Sequence, residues 1–223
     1  MKIDIWSDFT CPWCYIGKIN LDKALKKENV EVEYVYHSFQ TVDRGFYPER
    51  KAYSIHEVAK MGGMSKAQSI QKAALIEKMG KDAGVILNMN DVKMTETTNA
   101  HRLLQLAKNY NCQDEFMMES YRAVFEDGAN IGDKDVLQKL AVQVGMPEQE
   151  VITVLESNQY LDQVNADIVD ARKRMISGVP YYLFDNNESL YGSQPEEAFH
   201  SVIGKAKDKN VVVGAFCSNG KCQ

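Results

Sequence analysis

The chain has 223 residues and a formal net charge of −5, from 26 basic and 31 acidic side chains. This length accommodates one sizeable core, or a core domain with a large insertion. The acidic balance argues against the basic surface that binds nucleic acid or anionic membrane, and no apolar run approaches the ~20 residues of a membrane helix. We therefore predict neither a nucleic-acid nor a membrane partner.

The N-terminal residues also bear on the compartment. Residues 1–6, MKIDIW, contain no basic segment followed by an apolar run, so no secretory signal is predicted. We therefore expect a cytoplasmic protein. In that compartment thiols are kept reduced, so two close cysteines favour catalysis or metal binding over a permanent disulfide.

The first predicted elements are a strand and a helix joined by a short loop. Ile3 and Ile5 alternate with polar residues over residues 2–6, which is the pattern of a half-buried strand. Apolar residues then recur at near-helical spacing from Ile16 to Leu25. The motif Cys11-Pro12-Trp13-Cys14 lies between them, so Cys11 is predicted at the N-terminus of the helix.

This position predicts redox chemistry for the two thiols. Free N–H groups and the helix dipole stabilise an anion, and they lower the pKa of such a thiol to about 3.5–7.5. Pro12 suits the first helical turn, and the spacing returns Cys14 toward Cys11 within one turn. Since the helix covers Cys14 more, we predict that Cys11 attacks and that Cys14 resolves the mixed disulfide.

The middle of the chain predicts one strand followed by helices. Residues 30–39 alternate as a second strand, which would pair in parallel with the first through a right-handed crossover. Residues 50–176 then predict five or six consecutive helices without a strand. The predicted helix starts are Ser65 with a capping box to Gln68, Thr98 or Asn99, Asp114, Asp133, Pro147 and Tyr160.

Strand patterns return after residue 177. Residues 180–184 and 189–192 flank a turn cluster and predict a hairpin, and Pro195 begins a closing helix. The element order is βαβ, a helical insert, then ββα. We predict a discontinuous domain of residues 1–45 and 177–210, a helical insertion of residues 46–176, and a C-terminal tail of residues 211–223.

That order resembles the thioredoxin fold with the large all-helical insertion of the DsbA family, an α/β class. The motifs SDFTCPWCYIG (7–17), GVPYY (178–182) and YGSQ (191–194) are similar to those of FrnE-like dithiol–disulfide oxidoreductases. The resemblance implies that Cys11 is the nucleophile, Cys14 the resolving thiol and Pro180 a cis-proline facing them. Substrate would contact Val179, Pro180, Pro12 and Trp13, in a groove that methionines such as Met61, Met64 and Met79 could line.

The tail carries a second cysteine pair, Cys217 and Cys222. The resemblance implies an auxiliary redox pair that relays electrons, whereas the composition of the segment is equally that of a silent tail. A third alternative is a structural zinc site that combines this pair with Cys11 and Cys14.

The predicted function is protein thiol–disulfide oxidoreductase or isomerase, which needs no metal or organic cofactor. Its substrates would be protein or small-molecule thiols and disulfides, with glutathione or a thioredoxin-type reductant as electron partner. Trp13 replaces the histidine of DsbA, so the direction of electron flow stays open, and the sequence indicates no oligomeric state. One alternative is a glutathione transferase or 2-hydroxychromene-2-carboxylate isomerase of the same architecture, although such an enzyme would be expected to carry serine at position 11. The other alternative is a non-enzymatic zinc or regulator-binding module.

Overall fold

A computed structural model of the chain describes residues 1–42 and 51–211. Its elements in chain order are β1 (Lys2–Ser7), α1 (Pro12–Glu28), β2 (Glu33–Ser38), β3 (Tyr53–Ser54), α2 (Ile55–Met61), α3 (Lys66–Asp82), β4 (Lys93–Met94), α4 (Thr98–Lys108), α5 (Gln113–Phe125), α6 (Lys134–Gln143), α7 (Glu148–Glu156), α8 (Leu161–Lys173), β5 (Tyr181–Phe184), β6 (Glu188–Tyr191) and α9 (Glu196–Val211). Among these described helices, none is both long and apolar enough to cross a membrane.

The main sheet has four strands in the order β2-β1-β5-β6. β1 pairs with β2 in parallel and with β5 in antiparallel orientation, and β5 and β6 form the hairpin. The predicted α/β fold of the thioredoxin type, with its βαβ and ββα halves, is confirmed. Because Trp6 pairs with Tyr181, the end of β1 and the start of β5 lie at the same edge of the sheet. The Cys11 loop and Pro180 are brought together there.

Both faces of the sheet are covered. Ile3 and Ile5 belong to the main core, which also contains apolar residues of α1 and α9. Trp6 lies on the other face, in a separate cluster with Ala171 and Ile176 at the end of α8. The alternation of side chains along a strand explains why Ile3 and Ile5 lie in the main core while Trp6 packs with Ala171 on the other face.

The insertion is less purely helical than predicted. In its described part it contains seven helices, α2 to α8, and an antiparallel pair of two-residue strands in which Tyr53 is opposite Met94. Two residues cannot show the alternation that identifies a strand, which is why the sequence did not reveal this pair. The predicted capping box of Ser65 and Gln68 is present at the start of α3, and Ser54 and Glu57 form a second one at α2.

A buried lysine joins α1, β2 and α5. The Lys18 side chain is 3% exposed, and its Nζ lies 2.7 Å from Asp22 Oδ1 and 2.9 Å from Asp114 Oδ1. Tyr34 and Tyr36 donate their hydroxyls to the same two carboxylates. Every charge of this network therefore has a partner, as burial of an ammonium group requires.

A histidine ties the sheet to α8. His37 Nε2 lies 2.8 Å from Asp4 Oδ1, and Nδ1 lies 3.4 Å from Asp167 Oδ1. Burial alone would lower the pKa of His37, but the hydrogen bonds to Asp167 and Asp4 outweigh it and raise that pKa. The imidazolium form is therefore favoured by the fold.

Candidate active site

The two cysteines of the motif lie where the sequence predicted, at the beginning of α1. Cys11 is the N-cap residue and Pro12 the first helical residue. The Cys14 N–H donates to the Cys11 carbonyl over 3.0 Å, and the Cys11 N–H donates to the Asp8 carbonyl over 3.2 Å. Both cysteines are free thiols and buried, Cys11 with 6% of its surface exposed and Cys14 with 1%. Cys11 is thus the more exposed of the two residues.

Val179 and Pro180, which directly precede β5, lie beside this pair. The Val179–Pro180 peptide bond is cis, as the resemblance implies. The Cys11 thiol donates to the Val179 carbonyl oxygen over 3.7 Å, a usual distance for sulfur. Gly17 allows α1 to approach this strand, because a Cβ at position 17 would lie 2.5 Å from the Tyr182 hydroxyl and 3.3 Å from Pro180 Cγ.

The protonation of Cys11 differs from the expectation based on the helix N-terminus. The pKa of Cys11 is raised well above its usual range, first by a side-chain hydrogen bond with Cys14, then by burial, the charge of Cys14 and the charge of Asp8. The backbone N–H of Cys14 acts in the opposite direction. The predicted lowering of the pKa was wrong for this dithiol, because the hydrogen bond with Cys14, burial and nearby negative charge together outweigh the Cys14 N–H.

Two buried tyrosines beside the pair were not anticipated from the sequence. The Tyr121 hydroxyl is hydrogen-bonded to the Ser7 hydroxyl over 2.5 Å, and the Tyr182 hydroxyl has no hydrogen-bond partner among the described residues. Burial, and then the charge of Cys14, raise the pKa of both phenols. They therefore stay protonated near Cys14.

Asp8 is a further site residue that the sequence analysis missed. It lies three residues before Cys11, is 1% exposed and accepts hydrogen bonds from three residues. Those donors are Thr41, Thr97 and His101. An acid in the loop before the cysteines was the available signal, but nothing local showed that it would be buried.

A mainly apolar cavity of about 160 Å³ adjoins the motif. The motif contributes Thr10, Pro12 and Trp13, and the opposite wall comes from α2, α3 and the residues around β4. The insertion residues lining it are Ile55, Val58, Ala59, Met64, Ser69, Lys72, Ala73, Ile76, Met89 and Met94. We call this cavity the Trp13 groove. Of the expected methionines only Met64 lines it, since Met61 is 48% exposed and Met79 lines a different cleft.

The remaining cysteines are not brought to the site by the described structure. Cys112 is buried and donates its thiol to the Ala107 carbonyl over 3.6 Å. Cys217 and Cys222 lie outside the described residues. Within residues 1–42 and 51–211, no three His, Cys, Asp or Glu side chains are grouped so that they could hold a metal ion.

Comparison with known proteins agrees with this architecture. A family model described as a DSBA-like thioredoxin domain matches residues 2–204. The chain is 27% identical over 211 residues to the uncharacterized protein YwbO of Bacillus subtilis, covering 94% of this chain and 98% of that protein. The crystal structure of a probable DsbA oxidoreductase of Streptomyces coelicolor is 29% identical, with a TM-score of 0.84 over 100% of this chain and 98% of that one.

Two more distant structures share the fold. The cytosolic disulfide reductase DsbM of Pseudomonas aeruginosa is 14% identical, with a TM-score of 0.63, over 94% of this chain and 100% of that one. A 2-hydroxychromene-2-carboxylate isomerase is 15% identical, with a TM-score of 0.65, over 96% of this chain and 100% of that one. At these identities the likeness concerns the fold alone.

Proposed function

The chain belongs to the family of DSBA-like thioredoxin domains, and we propose that it is a FrnE-like dithiol–disulfide oxidoreductase that acts through Cys11 and Cys14. The observation that carries the proposal is the location of both free thiols at the start of α1, where the Cys11 thiol donates to the Val179 carbonyl oxygen. Two thiols separated by two residues at a helix N-terminus can form and open a disulfide without refolding the chain.

The proposed reaction is thiol–disulfide exchange. The Cys11 thiolate attacks one sulfur of a substrate disulfide, and the other substrate sulfur leaves as a thiolate that takes up a proton. Cys14 then loses its proton and attacks the Cys11 sulfur, which releases the second substrate thiol and leaves the enzyme disulfide. Two electrons and two protons pass from the enzyme to the substrate, and oxidised enzyme runs the steps in reverse.

The Trp13 groove supports a protein or peptide substrate. A cavity of about 160 Å³ beside the nucleophile has room for one apolar side chain adjacent to the substrate cysteine. Pro12, Trp13, Val179 and Pro180 would contact the backbone of an extended segment. Glutathione has two carboxylates and no apolar side chain, so it matches this lining less well, although it or a thioredoxin-type protein could supply electrons to the pair.

We propose the cytoplasm as the compartment, since there a reduced dithiol is the resting state. The pair Cys217 and Cys222 is proposed as an auxiliary redox pair.

With Cys14→Ser, which traps mixed disulfides on Cys11, we expect peptide mapping to find Cys217 or Cys222 linked to Cys11 within one chain. A Cys11 thiol that traps substrate but neither of these two cysteines would contradict the auxiliary role.

The function is tested by reduction of a protein disulfide such as insulin, with dithiothreitol as electron source. We expect turnover by the parent and by the control Cys112→Ser, whose thiol is buried at a helix turn, and loss of turnover in Cys11→Ser and Cys14→Ser. Glutathione transfer or isomerisation retained by Cys11→Ser would favour the transferase alternative instead. One equivalent of zinc in anaerobically purified protein would favour the binding module.

A further inference from the structure

Six helices of the described structure end in the same hydrogen-bonded motif. In each, one residue has a left-handed backbone conformation, its N–H donates to the carbonyl three residues earlier, and the next N–H donates to the carbonyl five residues earlier. This is the Schellman motif, in which the left-handed residue is usually glycine and sometimes asparagine. The left-handed residues of the six motifs are Asn29, Gly63, Gly84, Asn111, Gly145 and Met175. Among these six, Met175 after α8 departs from the usual residue type.

The conformation of Met175 costs stability, and packing does not compensate for it. Its φ is 59°, and a Cβ in this region lies close to the following carbonyl oxygen, which costs free energy that glycine avoids. The residue is 88% exposed, so its side chain gains little from burial. The helix dipole explains the basic Arg172 and Lys173 in the last turn of α8. No such effect explains an apolar Met175, and strained residues of this kind are typical of functional contacts.

Met175 begins the loop that contacts the redox pair. We call residues 175–180, which join α8 to β5, the Val179 loop. Ile176 is buried in the cluster on the second face of the sheet, and Val179 packs against the same cluster, so the loop is anchored at two points. The Val179 carbonyl accepts the Cys11 thiol. Four residues of chain span at most about 14 Å, so Met175 lies within that distance of the residue that contacts the nucleophile.

The other flank of the Val179 loop is also apolar and exposed. A Cβ at Gly178 would lie 2.5 Å from the Tyr191 hydroxyl, so the ring of Tyr191 lies against the loop. Tyr191 is itself 55% exposed. Among the described side chains, four large apolar ones are more than half exposed, and Met175 and Tyr191 are two of these four. Exposed apolar side chains grouped beside a reactive thiol are typical of a binding surface.

We propose that Met175 is a specificity-determining residue, which contacts an apolar side chain of the polypeptide whose disulfide reacts with Cys11. This inference rests on the proposed function and deepens it, because it adds a second contact of the same substrate to that of the Trp13 groove. An extended segment rises about 3.3 Å per residue, so the contacted side chain lies within about four residues of the substrate cysteine. The flexible thioether of Met175 can adapt to aliphatic and aromatic partners.

The test uses two nine-residue peptides and the full chain. Both peptides have a central cysteine among glycines and serines, and one has leucine at the third and fourth positions on each side. The cysteine is activated as a mixed disulfide with 5-thio-2-nitrobenzoate. Cys11 loses its proton to solvent, its sulfur bonds to the peptide sulfur, and the coloured aromatic thiolate leaves because its pKa is the lower.

The readout is the second-order rate of thiolate release. We expect the parent to react about three- to tenfold faster with the leucine peptide, as burial of about half of a methionine side chain would cause. Met175→Gln keeps the chain length and should reduce this preference at least about threefold, whereas Met175→Leu should retain it. The control Val142→Gln alters an apolar residue of α6 that is 39% exposed, and it should also retain the preference.

Urea unfolding tests the strain separately. Met175→Gly should raise the urea midpoint and reduce the leucine preference as Met175→Gln does. Asn111→Gly, at the same position of the motif after α4, should raise the midpoint less, because asparagine tolerates the left-handed conformation better. A lower midpoint for Met175→Gly would show that the side chain stabilises the fold, and it would overturn the proposal.

The remaining outcomes separate this inference from the proposed function. An unchanged preference in folded Met175→Gln or Met175→Gly would refute the contact. Equal slowing of both peptides would refute it too, because the substitution would then act on Cys11 rather than on the substrate. If the parent releases no thiolate from either peptide, the proposed function is rejected and this inference with it. A parent that reacts with both peptides, beside variants with an unaltered preference, rejects the role of Met175 alone.

Discussion

The substitution Gly17→Ala tests how closely α1 packs against Pro180 and β5. A Cβ at this position would lie 2.5 Å from the Tyr182 hydroxyl, 3.3 Å from Pro180 Cγ and 3.5 Å from the Ser193 Cα. Carbon atoms pack best at about 3.5–4.0 Å, so Gly17→Ala forces the Tyr182 ring to move by roughly 1 Å. That ring is fully buried and packs edge-on against Phe199 at 5.2 Å between centroids, so it cannot move alone.

The expected change in the free energy of unfolding follows from two opposing effects. Alanine in place of glycine favours a helix by about 1 kcal/mol, while overpacking a rigid core costs about 1–3 kcal/mol. Because the contact at 2.5 Å is severe, we expect Gly17→Ala to lower the free energy of unfolding by about 1–2 kcal/mol. Gly204 of α9 is the matched control: a Cβ there meets nothing within 4 Å, so Gly204→Ala should raise the free energy of unfolding by up to about 1 kcal/mol.

Urea unfolding followed by circular dichroism measures the free energy of unfolding of both variants, and insulin reduction measures their rate of disulfide exchange. Gly17→Ala should also slow disulfide exchange, because the displaced Pro180 faces Cys11, whereas Gly204→Ala should leave the rate unchanged. If Gly17→Ala stabilises the protein as much as Gly204→Ala does, α1 does not pack closely against the Tyr182 side chain.

Three further expectations concern stability. Lys18→Met leaves the carboxylates of Asp22 and Asp114 without their ammonium partner. Because these carboxylates are about one-third exposed, urea unfolding should show a decrease of about 1–3 kcal/mol in the free energy of unfolding, below the ~3–5 kcal/mol of a fully buried pair. The pKa of His37 is raised in the folded state, so the stabilisation that this histidine contributes is present below its unfolded pKa of about 6.5 and is lost as the pH rises through the folded pKa. The free energy of unfolding of the parent should therefore exceed that of His37→Gln most near pH 5–6 and less at pH 9. A difference that grows with pH would contradict the raised pKa. Ser65→Ala removes the capping box of α3 and should cost about 1 kcal/mol by the same measurement; no loss would show that α3 does not depend on its cap.

Local patterns predicted much of the fold correctly. The alternation in residues 2–6, the apolar spacing after Ile16 and the capping box at Ser65 each depend on neighbours within a few residues. The order of these elements then limits the topology, because a βαβ unit has a strongly preferred hand. The parallel pairing of β1 with β2 and the β5–β6 hairpin were accessible for this reason.

Features that join segments distant in sequence could not be predicted from local patterns. Tyr53 and Met94 pair across some forty residues, and no periodicity marks either of them. The Trp13 groove takes Met89 and Met94 from the chain around β4 rather than Met61 and Met79. Composition indicates which residues are apolar, but only packing selects those that line a cavity.

The site divides in the same way. The sequence by itself determined that two thiols lie at a strand-to-helix junction and that a proline lies at the start of the returning hairpin, because spacing and chain order carry that information. That this proline faces the thiols was implied only by the resemblance to a known family. The state of the Cys11 thiol was decided by the tertiary structure alone. Its pKa depends first on Cys14, then on burial and on the charge of Asp8. The Asp8 carboxylate in turn accepts hydrogen bonds from Thr41, Thr97 and His101. Electrostatic effects act through space between residues far apart in sequence, so a local motif can place a nucleophile but cannot set its protonation.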